Sequence, residues 1–319
     1  MSRRTKKNRT PSIYHGVLLV DKPTGMSSFD VIRQVRKKLG IRKIGHTGTL
    51  DPMASGVLVL CLGDATKLVQ YLTADDKTYR GEVTLGEATD SYDADGEVTA
   101  HNIWQELATI KAENIQQACQ NLQGEIQQVP PIYSAIKVNG ERLYAKARRG
   151  EKVEVKPRDV NIYTLDSYDY TWNAEQAHIR FMIETKCSKG TYIRSLAVDI
   201  ACHLKVHGHL SALRRTASGR FNIDQCYQLD EIDTFQIQNQ LLSIKDALAH
   251  WPILTVTPQQ AQKITYGQKL ELNRCPPIDS HAEDLVCACN QAGQAVAILQ
   301  KESDQYLRVV KGFHLSSNL

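Results

Sequence analysis

The stretch from residue 44 to residue 63 reads IGHTGTLDPMASGVLVLCLG and joins a loop of small residues to an apolar run. In the loop, Asp51 stands directly before Pro52. A residue that precedes proline is disfavoured in the helical region, so Asp51 is expected in an extended or turn conformation. The apolar run after it predicts a buried strand. The stretch therefore predicts either a carboxylate held for chemistry on a rigid loop or an Asp-Pro turn that only starts the strand.

The segments on either side of this stretch alternate between helix and strand patterns. Before it, Ser27 and Asp30 resemble a capping box, and an apolar stripe at helical spacing predicts a helix that ends at Gly40. After it, residues 79–85 alternate between two faces, as a half-buried strand does. This mixture predicts an α+β fold. Further elements are predicted as strands at 16–20 and 178–187 and as helices at 193–200 and 223–250.

Composition divides the chain into three parts and one insertion. Residues 1–11 are polar and basic and predict a disordered tail. Residues 12–248 form the main domain, interrupted at about 123–156 by paired prolines and a basic cluster that predict a projecting arm. Residues 249–319 contain short strand patterns between turn-forming residues and predict a small β-rich domain.

The overall composition excludes several classes of protein. The chain has 319 residues, which is enough for about two domains. No apolar run approaches the ~20 residues of a membrane-spanning helix, and the first ten residues lack the apolar stretch of a secretory signal. The eight cysteines are mostly isolated, which favours a reducing compartment over a disulfide scaffold. We therefore expect a cytoplasmic protein with no membrane partner.

Charge is distributed unevenly along the chain. The formal net charge is only +4, yet residues 1–50 carry 12 basic residues against 2 acidic ones. Residues 51–250 carry 21 basic against 27 acidic residues, and the last 69 residues carry 6 of each. A basic end on an otherwise nearly neutral chain indicates a polyanionic partner such as nucleic acid, although a solvated basic tail has the same composition.

Seven motifs that follow one another along the first two thirds of the chain resemble the TruB family of tRNA pseudouridine synthases. The loop motif GHTGTLDP at 45–52 is similar to the segment that carries the family's catalytic aspartate. The other motifs are GVLLVDKP with GMSS at 16–28, DKTY at 76–79, TDSYDADG at 89–96, PPIYSAIK with GERLY at 130–144, CSKGTYIR at 187–194 and LSALRR at 210–215. Because they are collinear, the chain is identified as a member of this family.

The resemblance implies a fold and a reaction. The fold is a pseudouridine-synthase core with a mixed, mainly antiparallel sheet and flanking helices, a thumb arm at about 123–156, and a PUA-like RNA-binding domain at 249–319. The reaction is the isomerisation of uridine to pseudouridine at position 55 in the T-arm loop of tRNA, by base flipping and an aspartate nucleophile. It implies no cofactor and no metal ion, and we expect a monomer that acts on the tRNA T stem-loop.

The resemblance also assigns catalytic roles. Asp51 is the nucleophile, and an ion pair with Arg194 is expected to orient its carboxyl group and lower its pKa. Asp93 corresponds to a second acidic partner of this arginine. Tyr79 is expected to stack on the target base and is the candidate for proton transfer at carbon 5. Without the family resemblance, the pattern around Tyr79 is equally typical of a core tyrosine. Arg194 is then equally typical of a surface cation, although the helix dipole disfavours a cation at the start of a helix.

Five further residues are expected to bind the RNA. His46 resembles the residue that inserts into the RNA stack when the base is flipped, Tyr192 lines the base pocket, and Leu213 contacts the base through backbone groups. Lys22 and Lys67 are candidate phosphate contacts. The same role is open to other cations, each equally typical of a solvated face: Lys137, Arg148, Arg149, Arg214 and Arg215.

Three alternatives stay open. A relative in the same superfamily would modify another RNA under the direction of a guide RNA and partner proteins, although the arm and the short C-terminal domain favour the stand-alone enzyme. A non-catalytic RNA-binding protein or tRNA-folding factor would need no nucleophile, so the joint presence of Asp51, Tyr79, Tyr192 and Arg194 argues against it. A two-carboxylate glycosidase would release free uracil. A zinc site is disfavoured because Cys202-His203 and Cys287-Ala-Cys289 lack the spacing of tetrahedral ligands.

Overall fold

The computed structural model describes residues 14–134, 137–138, 141–143, 149, 151, 153, 155–275 and 285–313. The predicted tail at 1–11 and the predicted phosphate contact Arg148 lie outside the described residues, as does the side chain of Lys137. The arm predicted at about 123–156 is described only in part.

Strands are distributed along the whole described chain. In chain order they are β1 (Gly16–Lys22), β2 (Ile44–His46), β3 (Ala54–Leu62), β4 (Lys77–Leu85), β5 (Glu87–Thr89), β6 (Val98–His101), β7 (Gly124–Gln128), β8 (Lys137–Val138), β9 (Glu141–Arg142), β10 (Arg158–Asn173), β11 (His178–Cys187), β12 (Gly208–Ser218), β13 (Phe221–Asn222), β14 (Leu241–Leu242), β15 (Ile253–Thr255), β16 (Leu270–Glu271), β17 (Leu285–Cys289), β18 (Ala295–Lys301) and β19 (Tyr306–Gly312).

Helices are fewer and mostly short. In chain order they are α1 (Ser28–Leu39), α2 (Val69–Leu72), α3 (Trp104–Leu107), α4 (Ala112–Asn121), α5 (Ile193–His203), α6 (Ile237–Gln240), α7 (Ile244–Ala247) and α8 (Pro258–Thr265). Short 3₁₀ helices occupy Gly63–Leu68, Ile223–Gln225 and Leu272–Arg274. The mixture of strands and helices confirms the predicted α+β class.

One large sheet forms the main domain. Its strands follow the order β14-β1-β3-β12-β4-β11-β10-β7, with β2 paired to β3 and β13 paired to β12. The neighbouring pairs are antiparallel except β3 and β12, which are parallel. The mixed, mainly antiparallel sheet is therefore as predicted. The parallel pairing of β3 with β12 places the start of β3, which directly follows the Asp51 loop, beside residues 213–215 of β12.

The apolar run of β3 is buried on both faces of this sheet. Leu58 and its even-numbered neighbours pack into the core that contains the apolar sides of α1 and α5, whereas Val57 and its odd-numbered neighbours pack into a second core. Successive side chains of a strand point to opposite faces, so a strand covered on both sides needs an uninterrupted apolar run. The second core also contains Cys287 and Ile298 from the last part of the chain.

The C-terminal part of the chain forms a second sheet with the order β15-β17-β18-β19-β16. This observation confirms the predicted β-rich C-terminal domain. Because its apolar residues share a core with β1 and β3, the domain packs against one face of the main sheet. In the part of the chain that the structure describes, no helix is long and apolar enough to cross a membrane.

Helix α1 follows the predicted pattern closely. The Ser27 hydroxyl accepts from the Asp30 backbone N–H, and the Asp30 carboxylate accepts from the Ser27 N–H, which together form a capping box. The helix ends at Gly40, whose φ of 62° is left-handed and suits glycine. Ser28 and the apolar stripe from Val31 to Leu39 form the buried side of the helix.

Two segments differ from the prediction. The long helix expected at 223–250 is wrong, because the segment contains only short helical turns and β14, which pairs with β1 at the sheet edge. Local side-chain bonds, such as that from the Phe235 N–H to the Asp233 carboxylate, compete there with helical hydrogen bonds. The projecting arm begins later than expected, because β7 pairs with β10 and belongs to the main sheet.

A substitution at Gly56 tests how closely β3 and β12 approach each other. Its φ is +102°, and a Cβ atom there would lie 2.2 Å from the Arg215 carbonyl oxygen. We expect Gly56→Ala to reduce the free energy of unfolding by more than about 3 kcal/mol, since the strained conformation and the backbone clash add together.

The matched control is Gly124→Ala, where φ is +93° but nothing lies within 4 Å of the added Cβ. Strain alone should reduce its free energy of unfolding by about 1–3 kcal/mol. Urea denaturation measures both variants, and equal losses would contradict the close approach of the two strands.

Candidate active site

Asp51 lies in a loop that is held on both sides of the aspartate. After it, the Pro52 carbonyl accepts a hydrogen bond from the Gly25 N–H (2.8 Å). Before it, the Leu50 N–H donates to the Ser28 hydroxyl oxygen (2.8 Å), and that hydroxyl lies 3.0 Å from the Leu50 carbonyl. Ser28 is the first residue of α1, so the N-terminus of this helix fixes the loop.

The Lys22 side chain is fully buried beneath the loop. Its ammonium group donates to the carbonyls of Pro23 (2.9 Å), Met26 (2.6 Å) and Pro52 (3.4 Å). Burial lowers the pKa of Lys22 from 10.5 to about 8, although the Asp51 carboxylate opposes the change. The predicted contact of Lys22 with an RNA phosphate is therefore wrong for this conformation, because the ammonium group faces the interior and joins two loops.

Arg215 is a second buried cation beneath the loop, next to the more exposed Arg214. Its guanidinium donates to the carbonyls of Val57 (2.7 Å) and Gly48 (3.1 Å), and only 1% of the residue is exposed. The predicted phosphate contact is therefore wrong for Arg215, which supports the loop from within. Arg214 pairs with Asp21 at 3.1 and 2.7 Å and keeps 42% of its side chain exposed, so phosphate binding there stays a prediction.

Arg194, near the start of α5, joins Asp51 to Asp93. Its Nε lies 3.0 Å from Asp51 Oδ2, and its Nη1 lies 3.1 Å from Asp93 Oδ2. Its terminal N–H groups also donate to the carbonyls of Ser91 (3.0 Å) and Tyr133 (2.9 Å). Only 4% of Arg194 is exposed. Four partners around one buried guanidinium restrict its orientation, and the ion pair in turn orients the Asp51 carboxylate.

The pKa of Asp51 lies above its ordinary value of 3.8, because burial in the loop disfavours the charged form. The Arg194 guanidinium lowers this pKa and the Asp93 carboxylate raises it. The expectation that the ion pair would lower the pKa is therefore wrong in net direction, since desolvation outweighs the attraction. About 35% of the Asp51 side chain is exposed, so a ligand can reach the carboxylate that Arg194 orients.

Tyr79 lies on β4, close to the strand that carries the loop. Its Cα is opposite Arg215 on β12 and Thr185 on β11, and 9% of the residue is exposed. Burial raises the pKa of the Tyr79 phenol, and the positive charge of Arg215 opposes this only in part. The hydroxyl is therefore protonated at neutral pH, which suits stacking or hydrogen-bond donation better than proton acceptance.

His46 and Leu213 lie on strands next to the same loop. His46 ends β2 opposite Leu60 of β3, and burial lowers the pKa of its half-buried imidazole below 6.5. The ring is therefore uncharged at neutral pH. Leu213 pairs with Ala54 across the parallel strands and with Gly81 of β4, and 9% of it is exposed.

Tyr192 stands directly before α5, two residues from Arg194. Its backbone N–H donates to the buried Gln128 side chain (2.7 Å), and the Arg158 guanidinium lies 4.5 Å from the centre of its ring. These contacts fix the start of α5 against β7 and β10. They also present an aromatic ring on the same short segment as the arginine that binds Asp51.

Two residues that complete the arginine site were not predicted. The Ser91 hydroxyl donates to Asp93 Oδ1 (2.5 Å), and the Tyr133 hydroxyl donates to Asp90 Oδ2 (3.0 Å). Both residues lie inside motifs that the sequence analysis identified. Their roles depend on backbone carbonyls aimed at Arg194, and no residue spacing reveals the direction of a carbonyl.

Two other predicted phosphate contacts are bound to protein groups. Lys67 donates to the Gly312 carbonyl (2.6 Å) and lies 3.2 Å from an Asp64 oxygen, which puts it at the junction with the C-terminal domain. Arg149 lies 2.6 Å from a Glu141 oxygen. Nothing in these contacts tests phosphate binding, which stays a prediction for both residues.

The site as a whole offers an accessible carboxylate, a buried arginine that orients it, a protonated phenol and a neutral imidazole. This set suits nucleophilic attack by the carboxylate on an electrophilic carbon, with aromatic groups to hold a flat ring. Within the described ranges, no group of three or more histidine, cysteine or acidic residues could hold a metal ion.

Comparisons of the sequence with known proteins identify the family of this chain. The profile of the N-terminal domain of TruB family pseudouridylate synthases matches residues 36–193, and that of the C-terminal domain of tRNA pseudouridylate synthase B matches residues 194–249. The tRNA pseudouridine synthase B of Geobacillus thermodenitrificans is 44% identical over 261 residues, covering 81% of this chain and 86% of the relative. That of Bacillus licheniformis is 41% identical over 293 residues, covering 90% and 93%.

Solved structures resemble the fold. An H/ACA RNP bound to a substrate RNA containing 2′-deoxyuridine matches with a TM-score of 0.70 and 23% identity, covering 95% of this chain and 86% of that chain. A Cbf5–Nop10–Gar1 complex matches with a TM-score of 0.68 and 25% identity, covering 94% and 84%. These likenesses extend across both the main sheet and the C-terminal domain.

The Asp93 carboxylate allows a test of the charge balance around Asp51. We expect Asp93→Asn to lower the pKa of Asp51, because it removes a negative charge that raises this pKa and leaves Arg194 with one carboxylate partner. Carbon-13 NMR titration of the Asp51 carboxyl group in the free protein measures the shift. The control Asp95→Asn removes an exposed charge from the same turn and should leave the pKa unchanged. An unchanged or higher pKa of Asp51 in Asp93→Asn would contradict the conclusion that the Asp93 carboxylate raises this pKa.

Proposed function

The chain belongs to the TruB family of pseudouridylate synthases, and from this premise we propose that it isomerises uridine to pseudouridine at position 55 in the T-arm loop of tRNA. In this reaction the bond between N1 and ribose C1′ breaks, and a bond between C5 and C1′ forms. C5 loses a proton and N1 gains one, so the product has the same atoms as the substrate. The reaction therefore has no need of an oxidant, a reductant or a group donor.

The observation that carries the proposal is the pairing of Asp51 with Arg194. The guanidinium is buried, whereas about a third of the carboxylate side chain is exposed, so one group is fixed by the protein while the other faces the substrate. A carboxylate nucleophile has to be ionised and correctly aimed. Arg194 supports both conditions, because its charge opposes the desolvation that raises the pKa of Asp51.

Base flipping would bring the uridine to Asp51. Taking a base out of its stack costs a few kcal/mol. His46 supports this step, because its burial keeps the imidazole neutral and an uncharged aromatic ring stacks on exposed bases. Its position at the end of β2, five residues before Asp51, would put the inserted ring next to the flipped nucleotide.

Tyr79, Tyr192 and Leu213 would hold the flipped base. Tyr79 and Leu213 lie on neighbouring strands beside the loop, and both keep a small exposed surface. Because burial raises the pKa of Tyr79, we assign its ring to stacking against the base and leave proton acceptance from C5 as a secondary role. Asp93 would act through Arg194 rather than on the substrate.

The tRNA substrate and independence from guide RNA rest on the sequence relatives. The two synthases named for tRNA are 41% and 44% identical to this chain, whereas the chain of the H/ACA RNP structure is 23% identical. We therefore propose that a monomer of this chain binds the T stem-loop directly. The basic outer surface of α1 and the exposed Arg42 and Lys43 would supply contacts to the RNA backbone.

Incubation with unmodified tRNA tests the proposal directly. Wild-type protein alone should convert uridine 55 in full, and a tRNA with cytidine at that position should remain unmodified. Asp51→Asn should lose turnover by at least on the order of 10⁴-fold, because a covalent nucleophile is removed, while its affinity for tRNA changes by no more than about threefold. Pseudouridine mapping and a filter-binding titration provide the two measurements.

Three outcomes would overturn parts of this proposal. Product that forms only after another protein or RNA is added would reject the stand-alone enzyme. Turnover by Asp51→Asn would reject the nucleophile. Free uracil in the reaction mixture would indicate a glycosidase in place of an isomerase.

The raised pKa of Asp51 predicts the acid side of the pH profile. Protonated Asp51 is not a nucleophile, so kcat/KM should fall as the pH is lowered through the pKa of this group. Because burial raises that pKa, the loss should begin at a higher pH than an ordinary aspartate with a pKa of 3.8 would give. Single-turnover rates at subsaturating enzyme concentration, which are proportional to kcat/KM, measure the midpoint between pH 4 and pH 8, and this midpoint should equal the pKa from NMR of the free protein. A rate that stays constant down to pH 4 would contradict the prediction.

A further inference from the structure

Phe29 is an exposed aromatic residue on α1 that lies outside the buried stripe of the helix. It is 57% exposed, whereas the buried side of α1 is formed by Ser28 and the stripe from Val31 to Leu39. The capping box at the start of the helix does not use Phe29 either. An exposed phenylalanine keeps a large apolar surface in contact with water, and a bound ligand would cover that surface.

Two arginines flank the Phe29 ring. The guanidinium carbons of Arg33 and Arg36 each lie 5.8 Å from the ring centre. Phe29, Arg33 and Arg36 are spaced by four and three residues, which sets them on one side of the helix. Lys37 is exposed next to them. Arg33 also pairs with Asp30, which holds its guanidinium near the ring.

This aromatic and basic surface lies next to the active loop. Ser28, the residue before Phe29, is hydrogen-bonded to Leu50, the residue before Asp51. Phe29 and Asp51 are therefore each one residue away from the same hydrogen-bonded pair. The start of α1, which carries Phe29, therefore borders the loop that carries Asp51.

We propose that Phe29, Arg33 and Arg36 form a stacking platform for an unpaired nucleobase of the RNA next to the target uridine. The proposal rests on the proposed function, because that function makes RNA the ligand. An aromatic face accepts any base that is free of its stack, and flanking arginines bind the adjoining phosphates. The positive charge of Arg33, Arg36 and Lys37 complements a polyanion, which favours RNA over a protein partner.

The platform can be tested by binding of T-arm stem-loop RNA that carries 2-aminopurine at successive loop positions. Phe29→Leu keeps an apolar side chain but removes the aromatic face, so it should weaken binding about fivefold or more and remove the fluorescence quenching at one loop position. Phe29→Tyr should restore both. Phe235→Leu is the matched control, because Phe235 is 93% exposed but lies on a different segment, and it should change neither measurement.

Salt dependence separates stacking from charge. Phe29→Leu removes no charge, so the slope of log affinity against log salt concentration should stay as in the wild type. Arg33→Gln should reduce that slope by about 1 for the phosphate contact it removes. A fully paired duplex of equal length should bind Phe29→Leu and wild type equally, since its bases are already stacked.

The outcomes distinguish this inference from the proposed function. If wild-type protein forms pseudouridine at position 55 but Phe29→Leu binds and quenches like wild type, the platform is wrong and the proposed function stands. If Phe29→Leu weakens binding of the stem-loop and binding of the duplex equally, the surface does not recognise an unpaired base. If wild-type protein forms no pseudouridine, the proposed function fails, while the binding titration still decides the role of Phe29.

Discussion

The buried guanidinium of Arg194 is the interaction on which the site depends. A cation removed from water is tolerated only when its N–H groups have partners, and removal of one partner leaves an uncompensated charge. Here the partners come from three distant segments: the Asp51 loop, the turn with Ser91 and Asp93, and the carbonyl of Tyr133. The need to satisfy one cation therefore fixes the relative positions of all three.

A second set of buried cations holds the loop from beneath. Lys22 and Arg215 donate mainly to backbone carbonyls, and both are almost completely excluded from solvent. The carbonyls of an irregular loop lack the partners that a sheet or helix would supply, so charged donors from neighbouring strands satisfy them. This arrangement supports the loop from beneath, and the positive charge of Lys22 acts on Asp51 to lower its pKa. The carboxylate nevertheless has a raised pKa, because burial of the same loop removes water from it.

The main sheet connects this site to the rest of the molecule. β3 carries the loop at one end, separates the two cores along its length, and packs through the second core against the C-terminal domain. Lys67 adds a polar contact across that junction through the Gly312 carbonyl. The C-terminal domain thus has a structural role as the cover of one face of the sheet.

Sequence patterns determined the elements of this protein whose causes are local. The capping box and Gly40 set the limits of α1, the continuous apolar run predicted a buried strand, and the collinear motifs identified the family. The helix expected at 223–250 failed because side-chain bonds within the segment compete with helical hydrogen bonds. Only the tertiary structure decided which cations face inward, that β7 belongs to the main sheet, and that the pKa of Asp51 is raised. The reason is that desolvation depends on every segment packed around a group, and those segments come from parts of the chain far apart in sequence.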